Sequence, residues 1–229
     1  MKTITVRLTA PLQSYGNVAT FGRRTTGHHP SKSAVIGMVA AALGYRREDP
    51  RIITLNQLHF AVRIDQVGQT MTDYQTVRFK KNTSKITFRE YLQDAVFVIA
   101  LGSEDTKLIE HIKFALQHPR FQLSLGRRAN VPAGVLKIDL FPEMNPVAAL
   151  EKLEWQASNW YQKKQRQETY TAEIIADADL LPMQRSTVAK DKVGSFDQRN
   201  RYHNFRAMAK KQIKLKNPAY LVHDIMDAL

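Results

Sequence analysis

An α+β fold of the ferredoxin-like, split βαβ type follows from three observations on this 229-residue chain. Strand-like period-2 stretches alternate with amphipathic helical stretches. Their order is strand, helix, strand, inserted segment, strand, helix, strand. A hydrophobic content of 43% lets the chain bury a substantial core.

The first strand is marked by Ile4, Val6 and Leu8 alternating with Thr3, Thr5 and Arg7, a pattern with one buried face. Val35, Ile36, Val39, Ala42 and Leu43 then recur at helical spacing. Ser31 or Ser33 is placed to cap that helix and Gly44 to end it. Phe60, Val62 and Ile64 alternate as a second strand, and the apolar run 95–101 predicts a central buried strand. Leu108, Ile109, Ile112, Ala115 and Leu116 form a second helix that stops before Pro119, and 135–141 offers a further strand. The segment 66–89 is too long for a turn and reads as an extended hairpin. Residues 1–145 would thus form the main domain and 146–229 a smaller α/β extension. In the extension Trp155 and Trp160 lie in a polar, helical stretch, 170–181 is a strand and turn, and Leu221, Val222, Ile225, Met226 and Leu229 have helical spacing after a candidate cap at Asn217.

The chain carries 34 Lys+Arg against 21 Asp+Glu, a formal charge of +13, which favours a polyanionic partner. Three segments concentrate it. In 10–44 a loop with Gly16, Gly22 and Gly27 carries Arg23 and Arg24 and runs into the helix at Lys32 without a single acid. A glycine-permissive loop before a helix N-terminus is a phosphate seat. In 66–89 the basic residues Arg78, Lys80, Lys81, Lys85 and Arg89 are interleaved with Tyr74, Phe79 and Phe88, a mixture suited to holding phosphates and stacking bases. In 190–216 nine basic residues face two acids.

Gly-Arg-Arg occurs twice, at 22–24 and 126–128, so two loops could clamp one backbone through Arg23, Arg24, Arg127 and Arg128. The alternative is a pair of solvated loops; for the hairpin it is an insertion whose aromatics cover a sheet edge. The absence of cysteine excludes disulfides and thiolate sites. No spacing suits a metal, no P-loop is present, and no cofactor is expected. No run reaches the roughly 20 apolar residues of a membrane span, and Thr3, Thr5 and Arg7 interrupt any signal-like start. A cytoplasmic protein without membrane contact is the expectation. Metal-free RNA cleavage would have to conscript His28, His29, Lys32, Tyr45 or His203.

The ordered motifs 8–16 (LTAPLQSYG), 25–27 (TTG), 30–33 (PSKS), 36–44 (IGMVAAALG), 73–77 (DYQTV), 89–95 (REYLQDA) and 119–128 (PRFQLSLGRR) resemble the CasD subunit family of type I-E CRISPR Cascade complexes. The resemblance covers roughly 3–140. It implies an RRM-like RAMP protein that binds the 5′ handle of CRISPR RNA, caps the Cascade backbone, touches the backbone and large subunits, and uses the 66–89 hairpin as a thumb. The target DNA duplex is a further candidate partner. Such a subunit binds without cutting. A related subtype cuts with a Tyr and a Lys-His pair, whereas Lys80, Lys81 and Lys113 here have no His beside them. The expected RNA contacts are Arg23, Arg24, Lys32, Arg127 and Arg128 on phosphates, Tyr74, Arg78, Lys80, Lys81 and Lys85 on the thumb, and Gln13, Tyr15 and Asn17 on base edges. The competing classes are a metal-independent endoribonuclease that processes precursor CRISPR RNA and a general single-strand binder.

Overall fold

A computed structural model of the chain describes residues 1–16, 20, 22–81 and 83–220. The helical spacing over 221–229 and Asn17 therefore lie outside the described residues.

Strands β1 (Lys2–Thr9), β4 (His59–Gln66), β7 (Val96–Ser103) and β8 (Lys137–Phe141) form one side of a seven-stranded antiparallel sheet, from the middle strand β4 to the edge strand β8. Helix α1 (Lys32–Leu43) crosses from β1 to β4, and α3 (Thr106–Gln117) from β7 to β8. The short α2 (Arg51–Thr54) precedes β4. The order β4-β7-β1-β8 sets β7 between the two strands that α1 joins. Local chemistry fixes both crossing helices. The Ser31 hydroxyl accepts the Ala34 N–H, Gly44 closes α1 in the left-handed region at φ +80°, and the Asp105 carboxylate accepts the Leu108 N–H.

Both helices pack on one face of the sheet, where Ile36, Val39, Ile109 and Ile112 meet Ile4, Val6, Phe60, Phe97 and Ile99. Contrary to the one-sided reading of β1, its other face is also buried. There Thr3 and Thr5 are 0% and 1% exposed, and Thr3 Oγ1 donates to the Met144 carbonyl at 2.6 Å. Helix α4 (Pro146–Lys152) covers that face, with Val147 and Leu150 against Ala61, Val98, Ala100 and Ile174. No helix among the described residues is long and apolar enough to cross a membrane.

The residues after 146 extend this sheet instead of building one of their own. After α5 (Asn159–Lys164), strands β9 (Thr169–Asp177), β10 (Ser186–Ser195) and β11 (Tyr202–Lys216) complete the order β10-β11-β9-β4-β7-β1-β8. The basic 190–216 segment is thus most of a hairpin at the sheet edge. Trp155 lies in the coil before α5, buried, with its indole N–H on the Asp65 carbonyl at 2.7 Å and its ring stacked on Tyr170. The helical reading holds for Trp160 alone.

The inserted segment is a hairpin, β5 (Gln69–Lys80) with β6 (Thr83–Gln93), in a second sheet with β2 (Leu12–Gln13) and β3 (Arg23–Arg24). Toward its tip, over 76–80 and 83–86, both strands are exposed.

Two buried ionic clusters tie the parts together. The Arg63 guanidinium grips Asp65 and the carbonyls of Leu150, Leu153 and Glu154, which pins the end of α4 to β4. Lys32, Asp177, Asp191 and Arg206 form the second, a neutral quartet between α1 and the strands β9 to β11.

Candidate nucleic-acid interface

The two Gly-Arg-Arg loops meet at Glu90 on β6. One carboxylate oxygen of Glu90 accepts from Arg23 Nε at 3.0 Å and Nη2 at 2.7 Å, and the backbone carbonyl of Glu90 accepts from Arg127 Nη1 at 2.9 Å. Arg127 also donates to the Arg24 carbonyl at 2.9 Å and lies over the Tyr91 ring at 4.4 Å. The Arg23 hydrogen bonds hold the Glu90 carboxyl below the usual glutamate range. Gly126 is required for this meeting. Its φ is +95°, and a Cβ there would stand 1.6 Å from the Ser14 carbonyl oxygen.

Beside this junction opens a cleft of about 1130 Å³, floored by the outer face of α1 at Ser33, Ala34, Gly37 and Ala41. Its rim carries Arg24, Arg46, Arg47, Arg127, Lys190 and Arg201, against Glu48 and Asp191 as acids. Asp191 is already spent, because its carboxylate takes both Arg206 and the Lys32 N–H. Burial disfavours its ionisation, but the hydrogen bonds and charge of Arg206 together with the Lys32 N–H and His29 outweigh that and hold its carboxyl below the ordinary aspartate range. The aromatic walls are Tyr45, Phe121 and Phe196. Such a surface concentrates a polyanion and offers rings for stacking.

The sequence-derived residues divide sharply. Arg24 and Arg128 are exposed, and Arg24 lines the cleft. Arg23 is exposed but engaged by Glu90. Arg127 is half-buried and used as a clasp between loops. On the thumb, Tyr74, Arg78, Lys80, Lys81 and Lys85 are all exposed. The register places Tyr74 opposite Phe88 and Thr76 opposite Ile86, so Tyr74, Ile86 and Phe88 share one open face.

Three residues must be corrected. Gln13 is fully buried, donating to the Ala95 carbonyl at 2.7 Å, and its side-chain oxygen accepts the Tyr15 hydroxyl at 2.7 Å. Tyr15 is buried edge-on against Phe97, and burial pushes its phenol far above the usual range. With their side-chain polar atoms spent on each other and on the Ala95 carbonyl, neither faces a base. Lys32 is buried against Asp177 at 2.9 Å, and burial lowers its ammonium from the usual lysine range despite that partner. It holds no external phosphate. The helix start is likewise taken, since the Lys32 N–H donates to Asp191 Oδ2 at 2.8 Å. The anion in the seat is the protein's own carboxylate.

Residues that the sequence reading passed over are Arg46, Arg47, Phe121 and Phe196. The Arg46-Arg47 doublet stands one residue, Tyr45, beyond the Gly44 cap, a position that marks it as leaving the helix into solvent. Among the described residues, His59, Asp177 and Asp179 bring ligand-type atoms within 4.8 Å of one another. Asp177 there faces Lys32 and Arg206 and accepts the Phe60 N–H at 2.8 Å, so cations and an amide already fill its lone pairs. This donor set does not suit a divalent ion.

The sequence model of the family described as CRISPR-associated protein (Cas_Cas5) matches residues 3–215. The chain belongs to the Cas5 family. Among curated proteins, this Cas5-family chain is 33% identical over 144 residues to the CRISPR system Cascade subunit CasD of Escherichia coli (strain K12). The match covers 54% of the chain and 64% of that protein, so the chain spans less than two thirds of that relative. Among solved structures it is similar to a chain of a CRISPR RNA-guided surveillance complex, with TM-score 0.76, 28% identity, and 98% and 96% of the two chains covered. A structure titled Crystal structure of Cas protein follows at TM-score 0.68 and 28% identity, covering 95% and 97%. The likeness to the surveillance-complex chain takes in nearly the whole molecule, thumb and C-terminal strands included. The chain is CasD-like in sequence, and its fold with the large antiparallel sheet is similar to these two solved structures.

Proposed function

We propose that this chain is a non-catalytic subunit of a type I-E Cascade that holds the 5′ handle of CRISPR RNA. The observation that carries the reading is the cleft over α1, where six cations stand among the described lining residues against two acids, Glu48 and the already neutralised Asp191. Arg24, Arg46 and Arg47 would take phosphates, Arg128 would approach from the second loop, and the thumb face of Tyr74, Ile86 and Phe88 would pack against nucleotides or the neighbouring backbone subunit. Arginine suits this work because its planar fork bonds phosphate bidentately and stacks on bases.

Gln13 and Tyr15, being internal, would act through loop shape and not as base readers. Membership beside the backbone and large subunits rests on the likeness to CasD and to the surveillance-complex chain.

The test is co-expression of the chain with its complex and a CRISPR array, followed by purification and sequencing of bound RNA. Guide RNAs sharing one 5′ handle, lost when R24E, R46E and R128E are combined, support the reading. Retention of the same RNA by that variant overturns it. Discrete cleavage of repeat RNA by the purified chain in EDTA would overturn the non-catalytic role.

A further inference from the structure

Some surface cations of this chain are matched by acids: Lys2 with Glu110, Arg51 with Asp49 and, on β11, Lys210 with Glu173 and Lys211 with Glu151. The stretch 185–201, β10 and the turn that follows it, is different. Arg185, Lys190, Lys192, Arg199 and Arg201 are all exposed there and form no ion pair among the described residues. Its two acids are engaged: Asp191 is buried under Arg206, and Asp197 accepts the Arg199 N–H.

Large apolar side chains stand open among these cations, with Val188 68%, Phe205 69% and Tyr202 47% exposed. Lys190 Nζ lies over the Phe205 ring and the Arg201 guanidinium over Phe196, so charge and ring are presented together.

Two further facts choose the occupant. Lys190 and Arg201 also line the cleft, so the basic surface runs without a break from the Arg24 side, over α1, onto the hairpin. And β10, although an edge strand, shifts register between Ala189 and Lys192 and again between Val193 and Ser195. Such bulges disrupt the row of backbone groups that a partner strand would need for pairing.

We infer that the β10–β11 hairpin is a contact surface for single-stranded nucleic acid, its cations holding backbone phosphates while Phe205 and Tyr202 stack on free bases. A single strand is favoured over a duplex because exposed rings gain only where bases are free to receive them. RNA and DNA strands share this chemistry. The inference extends the proposed nucleic-acid role of the cleft but does not depend on which RNA the cleft selects.

The test uses the full-length chain and fluorescein-labelled 12-nucleotide oligo(U), oligo(dT) and a 12-base-pair DNA duplex, read by anisotropy across a salt series. R185Q/K192Q/R199Q removes three hairpin charges that do not line the cleft. K107Q/K113Q/K152Q removes three from α3 and α4 and is the control for net charge. Melting curves of both establish that they fold. The expected result is that the hairpin variant flattens the salt dependence for single strands by about two logarithmic units per decade, and the control by less than half of that. F205A is expected to weaken oligo(U) roughly tenfold with the salt slope unchanged. A 5-iodouridine probe should cross-link within 202–205. Comparison of the two single strands shows whether RNA or DNA is the better occupant.

Equal losses in the hairpin and control variants, an unaffected F205A, or cross-links that avoid the hairpin overturn the inference. So does undiminished strand binding combined with loss of the other complex proteins, which would make the surface a protein interface. Failure of handle selectivity in co-purified RNA would instead count against the cleft reading alone.

Discussion

Arg127 donates through Nη2 to the backbone carbonyl of Arg24, 2.9 Å away and 103 residues distant in sequence. A second bond from Nη1 to the Glu90 carbonyl makes one guanidinium the bridge between two loops and the thumb strand. The doublets therefore divide their labour: Arg127 builds the junction, while Arg24 and Arg128 face solvent.

This division predicts opposite phenotypes within one doublet. Arg127→Ala removes two charge-assisted hydrogen bonds and the contact over Tyr91, and should cost about 1–3 kcal/mol. In a chain of this size that lowers the melting temperature by roughly 2–10 °C. Arg128→Glu should leave the melting temperature within about 2 °C and weaken RNA binding. Scanning calorimetry and anisotropy on the two variants check this; a stable Arg127→Ala with weakened RNA binding would return Arg127 to the ligand.

Gly126→Ala should be among the most damaging small substitutions in the molecule. Both the positive φ and the Ser14 carbonyl forbid a Cβ, so the loop must move and take Arg127 with it. The expected loss exceeds that of Arg127→Ala, read from urea unfolding. Gly134→Ala is the control, since its φ is also positive, at +87°, but open space surrounds it.

The sequence disclosed what is local and hid what is not. Ser31 and Gly44 cap their helix through bonds made within a few residues, and the apolar run over β7 needs no partner to be recognised. The thumb was legible for the same reason, as a hairpin is a local pairing. Gln13 and Tyr15 misled because polar residues in a glycine-bearing loop have a surface composition. What buries them is Ala95 and Phe97, brought near only by the sheet. Lys32 misled likewise, since its carboxylates Asp177 and Asp191 arrive from 145 and 159 residues away. A basic, glycine-rich helix entrance is therefore compatible with an internal anion as well as an external one.

That internal quartet should be a strong determinant of stability. Arg206→Leu strands Asp177 and Asp191 beside Lys32 with too little positive charge, and breaking a buried ionic arrangement from one side costs about 3–5 kcal/mol. Asp191→Asn should cost less, because the amide can still accept the Lys32 N–H. Unfolding midpoints for the two single variants and the double variant check this. Additive losses would show that the two residues do not act as one network.

The pH dependence of stability should carry a histidine signature from the same region. Burial lowers the His29 imidazole below its usual range; Lys210 opposes its protonation, while the Pro30 carbonyl, Asp191 and Glu173 favour it. Burial also lowers His203, with Arg201 and Lys190 opposing the proton and Asp191 favouring it. Both folded values lie below the unfolded value of about 6.5. Between the two values the unfolded chain binds more protons than the folded one, so stability rises with pH through that window. The contribution is complete above pH about 6.5 and is lost as the solution is acidified below it. Asp191 and Glu90 have depressed values, so their contribution is present above the ordinary carboxylate range and falls only in more acid solution. Urea unfolding of the wild type from pH 8 to pH 3 should therefore show two separate declines. H29Q/H203Q should abolish the first and keep the second. An unchanged first decline in that variant would assign it to other groups and remove the histidines from the stability of the hairpin junction.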